Sequence, residues 1–262
     1  MKTLIDLQNY PIDQSGGEPY RALVDSCRRD LRESGMFNLP GFLSVGACNQ
    51  AIEEINPVMD SGSFTHRRFH NVYFLDSIPG VASDHPALKK IETVNHTLCA
   101  DQLQNSIVIR VYEYPPLIQF LADTLSMTNL YLMDDPLARA NVMAYRDGEA
   151  LNWHFDRSEF TTTLLLQVPN DGGEFQFRTA LRSEQDPNYD GVARLIEGDD
   201  PQMQSLRLEE GTLSVFRGKN TVHRITPVIG SRERVIAVFS YYEHPGKVFS
   251  KEEQIGFYGR AS

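Results

Sequence analysis

A chain of 262 residues with 41% hydrophobic and 23% charged side chains can bury a substantial core, and this composition excludes an intrinsically disordered protein. Thirty-five acidic residues against 25 basic ones give a net charge of -10, which disfavours nucleic acids and anionic membranes as partners because both would repel the chain. The cysteines form no C-x-x-C pair, and neither a signal pattern nor an apolar run of about 18 residues is present. We therefore expect a cytoplasmic globular protein.

The first half of the chain predicts mainly helices. Four segments are expected to be helical, at residues 19–35, 45–57, 85–103 and 116–126. In the first segment Leu23, Cys27 and Leu31 are four residues apart and share one face. Ser44 can cap the second segment, and Pro86 falls in the first turn of the third. These helices predict a flanking layer over about residues 1–130.

The second half consists of short segments rich in β-branched and aromatic residues, separated by turn residues. The predicted strands lie at residues 107–114, 138–146, 160–168, 173–179, 211–218 and 234–242. Strands at this spacing are typical of a sandwich or barrel of jelly-roll type. A polar stretch at residues 179–208 is either a lid, a binding loop or a disordered insertion. We expect a single α+β domain over residues 1–262, with its β core at about 131–245.

Three residues in the β half form a candidate metal site. His154 and Asp156 are two residues apart at the end of a predicted strand, so both side chains can point to the same side. His223 lies between two later strand-like runs. Two histidines and one carboxylate form the facial triad of non-haem iron(II) oxygenases, which leaves three coordination positions open. Because an isolated H-x-D pair often arises by chance, the prediction depends on the surrounding motifs.

Two further features fit a 2-oxo acid as co-substrate. Arg232 and Arg234 follow His223 by nine and eleven residues, and either guanidinium could hold the distal carboxylate of 2-oxoglutarate through two hydrogen bonds. Strand alternation predicts that both arginines share a face, and we favour Arg234. Tyr145 precedes His154 by nine residues, and its hydroxyl either reaches the co-substrate or belongs to a core tyrosine.

Together these motifs resemble the 2-oxoglutarate/iron(II) oxygenase superfamily, particularly its prolyl-hydroxylase-like branch. The matching pieces are Tyr145 with Gly148, His154 with Asp156, Gly172 to Phe175, Gly211 to Phe216, His223 to Val228, and Arg232 with Arg234. The resemblance spans about residues 140 to 242. It implies a double-stranded β-helix core of jelly-roll or cupin type with flanking N-terminal helices. It also implies Fe(II) as cofactor, with 2-oxoglutarate and dioxygen as co-substrates.

A narrower resemblance is to the bacterial radical halogenases of free lysine and related amino acids, together with their hydroxylating homologues. It is carried by the runs NWHFDRSEFTTTLLLQ, DPNYDGVARL, FRGKNTVHR and RERVIAVFSYYEHPG. Those halogenases have a small residue, usually glycine, at the position of Asp156, because chloride occupies the vacated coordination site. Here the carboxylate fills that site. The resemblance therefore implies a dioxygenase that hydroxylates an unactivated C–H bond, with free L-lysine as the expected substrate.

A free cationic amino acid needs cations for its α-carboxylate and anions for its amines. The candidates are Arg67, Arg68 and Arg157 for the carboxylate, Asp134, Asp135 and Glu149 for the amines, and Trp153 and Tyr189 for the pocket walls. For each of them the alternative is a solvated charge or a core aromatic. His66 and His70 have no acidic partner at a suitable spacing, so we expect no second metal site there.

Three other functions fit parts of these observations. An oxygenase of the same fold could act on another small molecule or on a peptide side chain, and a protein substrate would favour an open groove over a lidded pocket. A non-catalytic binding module of cupin type would need neither the arginine after His223 nor the full ligand set. A zinc hydrolase with the same triad would carry a general-base glutamate motif, which the sequence lacks.

Overall fold

The computed structural model describes residues 1–262. Six α-helices are present: α1 (Glu18–Glu33), α2 (Val45–Gly62), α3 (Ile107–Tyr112), α4 (Pro115–Leu125), α5 (Tyr189–Glu197) and α6 (Lys251–Tyr258). The predicted first and fourth helices are confirmed, and the second continues through Pro57 to Gly62. None of these helices combines the length and the hydropathy that crossing a lipid bilayer requires.

The strands form two main antiparallel sheets. In chain order they are β1 (Met36–Leu39), β2 (Phe64–His70), β3 (Ile91–Leu98), β4 (Tyr131–Leu132), β5 (Ala140–Tyr145), β6 (Leu151–His154), β7 (Thr161–Gln167), β8 (Asp171–Gly172), β9 (Phe175–Arg178), β10 (Gln204–Leu206), β11 (Leu213–Phe216), β12 (Val222–Ile225), β13 (Val228–Ile229), β14 (Arg234–Phe239) and β15 (Tyr241–Tyr242). The larger sheet has the order β1-β11-β7-β14-β5-β3-β2, and the smaller has the order β10-β9-β12-β6. The mixed architecture confirms the predicted jelly-roll core with flanking N-terminal helices.

The larger sheet separates a hydrophobic core from a cavity, and strand periodicity assigns each side chain to one of the two. On β14, Val235 and Ala237 belong to the 41-residue core that also contains the buried faces of α1 to α4. The alternate residues Arg234, Ile236 and Val238 line the cavity between the two sheets. Because successive strand residues point to opposite faces, one apolar face packs the helices while the other supplies the site.

Two predicted elements are wrong. Residues 85–103 do not form a helix: Pro86–Leu88 is a single 3-10 turn, and Ile91–Leu98 is strand β3, paired with β2 and β5. Residues 107–114 do not form a strand, since most of them belong to helix α3. Ser106 caps this helix by accepting a hydrogen bond from the backbone N–H of Ile109. Every residue of helix α3 except Arg110 is buried, and a short apolar run of this kind has no periodicity that separates a helix from a strand.

The polar stretch at 179–208 is structured. It contains helix α5, whose first turn is capped by the side chain of Asn188, and strand β10, which pairs with β9. Arg182 near its start and Leu208 at its end line the cavity between the sheets. The stretch is therefore not a disordered insertion, and its two ends contribute to the wall of the site.

Candidate active site

The three predicted metal ligands lie together at one point between the sheets. His154 is the last residue of β6 and pairs directly with His223 of β12, with their ring centroids 4.1 Å apart. Oδ1 of Asp156 lies 3.3 Å from Nε2 of His154 and 3.7 Å from Nε2 of His223. All three ligand atoms lie within 4.8 Å of one another. Two imidazoles and a carboxylate in this arrangement can hold one divalent transition-metal ion.

Backbone carbonyl groups orient both imidazoles toward that point. Nδ1 of His154 donates to the carbonyl of Asn152 (2.9 Å), and Nδ1 of His223 donates to the carbonyl of Thr221 (3.0 Å). Each Nε2 is therefore the unprotonated nitrogen that faces the carboxylate. Burial, together with the nearby His154, lowers the pKa of His223 to about 4, so this ring is neutral at pH 7 as a metal ligand must be.

Two residues that the sequence did not identify hold the carboxylate of Asp156. The hydroxyl of Thr161 donates to its Oδ2, and a Cβ at Gly218 would lie 2.3 Å from the same oxygen. Burial by itself would raise the pKa of Asp156, but His223, His154 and the Thr161 hydroxyl together lower it below its usual value. Neither Thr161 nor Gly218 has a spacing that signals metal binding, so only the fold reveals them.

The triad opens into a cavity of about 900 Å³ that also contains Arg234 and Tyr145. Arg234 is 3% exposed, and its Nε donates to the carbonyl of Gly173 at 3.1 Å. Its Nη1 is buried and has no hydrogen-bond partner. Burial lowers the pKa of Arg234 to about 10, so the guanidinium stays charged at pH 7. A buried cation with a free donor in a cavity fits an incoming carboxylate.

Tyr145 lies beside this guanidinium. It pairs in register with Arg234, and its ring centroid lies 6.0 Å from the Arg234 Cζ. The phenol is buried, and its hydroxyl contacts only Sδ of Met143, at 3.9 Å. Burial raises the pKa of Tyr145 to about 12, so the hydroxyl keeps its proton and can donate to an anion held by Arg234.

The structure separates the two arginines that we expected on one face. Arg232 lies in the turn before β14, outside the cavity, where Nη2 pairs with Oε1 of Glu210 at 2.6 Å. Strand alternation begins only at Arg234, the first residue of β14, so it does not extend back to Arg232. Arg232 therefore does not line the cavity that contains Arg234.

The arginine pair on β2 is likewise divided by strand periodicity. Arg68 points inward and lines the cavity, with its Cζ 4.5 Å from the ring centroid of Phe74. Arg67 points outward and pairs with Glu92 at 2.6 Å. Arg67 therefore lies outside the cavity, whereas Arg68 lines it. Arg157 also lines the cavity, at an exposed position where Nη1 pairs with Oε1 of Glu253 at 2.9 Å.

Four other candidates do not reach the cavity. The carboxylate of Asp135 is fully buried and accepts hydrogen bonds from the backbone N–H groups of Leu137, Ala138 and Phe249 and from the side chain of Gln254. Trp153 is buried in a separate apolar cluster, because it neighbours His154 on the strand and points to the opposite face. Asp134 caps the backbone N–H of Gly246, and Glu149 bonds His96 at 3.0 Å. Asp135 and Trp153, two of the expected substrate contacts, thus do not line the cavity.

The histidines of β2 and the tyrosine of α5 also have defined places. His66 and His70 both line the cavity, and Nε2 of His70 lies 2.8 Å from the Thr93 hydroxyl. Neither histidine is within 4 Å of a carboxylate. Tyr189 lies outside the cavity and packs edge-on against Tyr73, with centroids 5.1 Å apart. Tyr189 therefore supports the wall formed by Tyr73 without lining it.

The backbone fold is similar to that of solved 2-oxoglutarate/iron(II) oxygenases. An oxidoreductase of that family from Burkholderia pseudomallei has 14% identity, with 89% of this chain and 94% of that chain covered and a TM-score of 0.52. A prolyl-4-hydroxylase from Pseudomonas putida has 15% identity, 83% and 98% coverage and a TM-score of 0.51. HygX from Streptomyces hygroscopicus, solved with nickel, 2-oxoglutarate and hygromycin B, has 12% identity, 82% and 86% coverage and a TM-score of 0.55.

At such identities the structural likeness concerns the fold. A family model gives the narrower assignment: the model described as halogenase D matches residues 21–253. The chain therefore belongs to the halogenase D family. No curated protein matches its sequence.

Proposed function

We propose that this protein is an iron(II)- and 2-oxoglutarate-dependent hydroxylase of a free amino acid. One observation carries the proposal: the His154, Asp156 and His223 ligand set opens into the same cavity as the buried guanidinium of Arg234, whose Nη1 has no partner. A metal-binding triad and a buried carboxylate acceptor are the two elements that a chelating 2-oxo diacid requires. When bound, iron and 2-oxoglutarate supply the activation of dioxygen for attack on a C–H bond.

The chain's own residues bind, orient and exclude water. His154, Asp156 and His223 would hold the metal next to the cavity. Arg234 and the Tyr145 hydroxyl would hold the distal carboxylate of 2-oxoglutarate, in the part of the cavity that Met143 and Ile236 also line. Thr161 and Gly218 fix the orientation of the Asp156 carboxylate. Positioning of this kind keeps the co-substrate and the target carbon in a reactive geometry.

Asp156 favours hydroxylation over halogenation, although the family is named for a halogenase. Its carboxylate stands in the ligand position that a halide would need, and two neighbours are fitted to it. Thr161 donates to Oδ2, and the missing side chain of Gly218 leaves the space that Oδ2 fills. A side chain held in this way would complete the triad and would take the coordination position that chloride occupies in the halogenases.

The expectation of L-lysine rests on the family resemblance, and the cavity offers it little support. A lysine side chain needs an acidic group for its terminal ammonium. Apart from Asp156, the only acidic side chain lining the cavity is Glu253, which already pairs with Arg157. The carboxylate of Asp135, our candidate for this role, lies outside the cavity and already accepts four hydrogen bonds. Lysine is therefore one member of the panel to be tested.

The test is to supply iron-loaded protein with 2-oxoglutarate, air, chloride and each proteinogenic amino acid in turn. We expect one of them to stimulate succinate formation and to yield a product heavier by one oxygen atom. His154→Ala should abolish both signals, whereas Arg67→Gln, on the outer face of β2, should leave them intact. A chlorinated product would contradict the assignment as a hydroxylase. Binding of iron and 2-oxoglutarate without succinate under any condition would favour the cupin-type binding module.

A further inference from the structure

The charge of the cavity is opposite to that of the protein. The chain as a whole carries a net charge of -10. The residues that line the cavity nevertheless include six lysines and arginines but only two carboxylates, Asp156 and Glu253. A concentration of like charge in a partly enclosed site is costly without a counter-charge, and it attracts ligands of the opposite sign.

Metal and co-substrate do not account for this excess. Iron(II), the Asp156 carboxylate, the two carboxylates of 2-oxoglutarate and the Arg234 guanidinium together carry no net charge. Two of the five remaining cations are compensated by the protein, since Lys219 pairs with Glu159 (2.6 Å) and Glu184 (2.8 Å), and Arg157 pairs with Glu253. Three have no carboxylate partner: Arg68, Arg182 and Lys247, the last of which lies 5.8 Å from the ring of Tyr242. The uncompensated charge therefore belongs to the part of the cavity that is left for the substrate.

Arg68 is the first of the uncompensated cations. It points inward from β2, makes no hydrogen bond and has no carboxylate within 4 Å; its one specific contact is the face of Phe74. Phe74 is in turn stacked on His70, with centroids 4.4 Å apart. Burial and the nearby Arg157 lower the pKa of Arg68.

Arg182 is the second. Its Nε donates to the carbonyl of Lys219 at 2.8 Å, and its Cζ lies 3.8 Å from the ring centroid of Phe155, the residue between two metal ligands. No carboxylate lies within 4 Å of it. Each of the two guanidinium groups therefore lies over an aromatic ring that lines the cavity, Arg68 over Phe74 and Arg182 over Phe155. Both are half-buried, oriented by aromatic faces, and have terminal nitrogens available to a ligand.

We propose that the substrate of this site is an acidic amino acid, whose two carboxylates are bound by Arg68 and Arg182; this rests on the proposed function. A free lysine needs one cation and two anions, whereas aspartate or glutamate needs two cations and one anion. The cavity supplies two uncompensated arginines, and its single carboxylate outside the triad, Glu253, is paired with Arg157. The planar fork of arginine matches a carboxylate bidentately, so these side chains suit the pair of groups.

Calorimetric titration without oxygen tests this proposal independently of turnover. The protein is loaded with Mn(II) and saturated with 2-oxoglutarate, so that dicarboxylates cannot bind at Arg234. L-glutamate, L-aspartate, their amides glutamine and asparagine, and L-lysine are then titrated separately. We expect glutamate or aspartate to bind at least about tenfold more tightly than its own amide and than lysine, since each charged hydrogen bond contributes on that scale.

Matched variants assign the effect to residues. Arg68→Gln and Arg182→Gln should each weaken binding of the preferred acid about ten- to hundredfold and reduce the acid-to-amide ratio, while 2-oxoglutarate still binds. Arg67→Gln, on the outer face of the same strand, should bind like the wild type. Tighter binding of lysine, no binding of either acid, or an unchanged acid-to-amide ratio in both variants would overturn the proposal alone. Failure of 2-oxoglutarate to bind the Mn(II)-loaded wild type would overturn the proposed function with it.

Discussion

Replacing Arg234 with methionine removes one buried charge while keeping most of the side-chain volume. Arg234 is 3% exposed, so a carboxylate bound to it would be shielded from water. Breaking a buried ion pair by removing one partner costs about 3–5 kcal/mol. Since about 1.4 kcal/mol is a factor of ten, the Kd for 2-oxoglutarate should rise by about a hundred- to a few thousandfold.

The same change should have the opposite effect on the protein without co-substrate. Nη1 of Arg234 is buried without a partner, and an unsatisfied buried polar group costs about 1–3 kcal/mol. Methionine removes that cost but also the hydrogen bond from Nε to the carbonyl of Gly173. We therefore expect a net gain of about 1 kcal/mol, which raises the Tm of a chain of this size by about 2–4 °C.

Two measurements on one pair of variants test this reasoning. Calorimetry with Mn(II)-loaded protein gives the affinity for 2-oxoglutarate, and thermal unfolding of the metal-free protein gives the Tm. Arg232→Met is the matched control, because Arg232 lies outside the cavity in an exposed pair with Glu210 and should change the affinity less than about twofold. The reasoning is refuted if Arg234→Met binds 2-oxoglutarate within tenfold of wild type, or if Arg232→Met shows the loss.

Three further predictions concern the metal. Gly218→Ala would place a Cβ 2.3 Å from Oδ2 of Asp156 and should weaken metal binding about ten- to a hundredfold. Gly46→Ala, which adds a Cβ in open space on α2, is the control and should leave the affinity for metal unchanged. Equal affinities of the two variants would contradict the close packing of Gly218 against the Asp156 carboxylate. Thr161→Val removes the hydroxyl that holds Asp156 and should weaken metal binding by about tenfold, measured by competition with a chelator; an unchanged affinity would show that this hydrogen bond is dispensable. Metal at a free concentration of 100 times its Kd should raise the free energy of unfolding of the wild type by about 2.7 kcal/mol, and His154→Ala should lose this stabilisation. Stabilisation of the same size in the variant would place the metal elsewhere.

Part of the triad was predictable from a local regularity, since His154 and Asp156 are two residues apart at a strand end. His223 was identified from the surrounding motifs, and its direct register with His154 is a long-range pairing that only the structure shows. The same regularity would have excluded Trp153, which alternates with His154. It could not choose between Arg67 and Arg68, since that choice depends on which face of β2 meets the cavity.

Contacts between distant parts of the chain were not predictable. Asp135 looked available for an amine, but its carboxylate bonds Phe249 and Gln254, which are more than a hundred residues away in the sequence. Helix α3 consists largely of residues with strand propensity, and the burial of five of its six side chains in the core decided its conformation. A single domain over residues 1–262 stays a prediction.

The central claim is that His154, Asp156 and His223 hold iron beside 2-oxoglutarate. Its most direct test is anaerobic titration of the protein with iron(II), followed by addition of 2-oxoglutarate and air and quantification of succinate. The account predicts one iron per chain and succinate that requires iron, 2-oxoglutarate and oxygen together, with both signals lost in His223→Ala. Wild-type protein that binds no iron, or that forms no succinate when iron is bound, would contradict it.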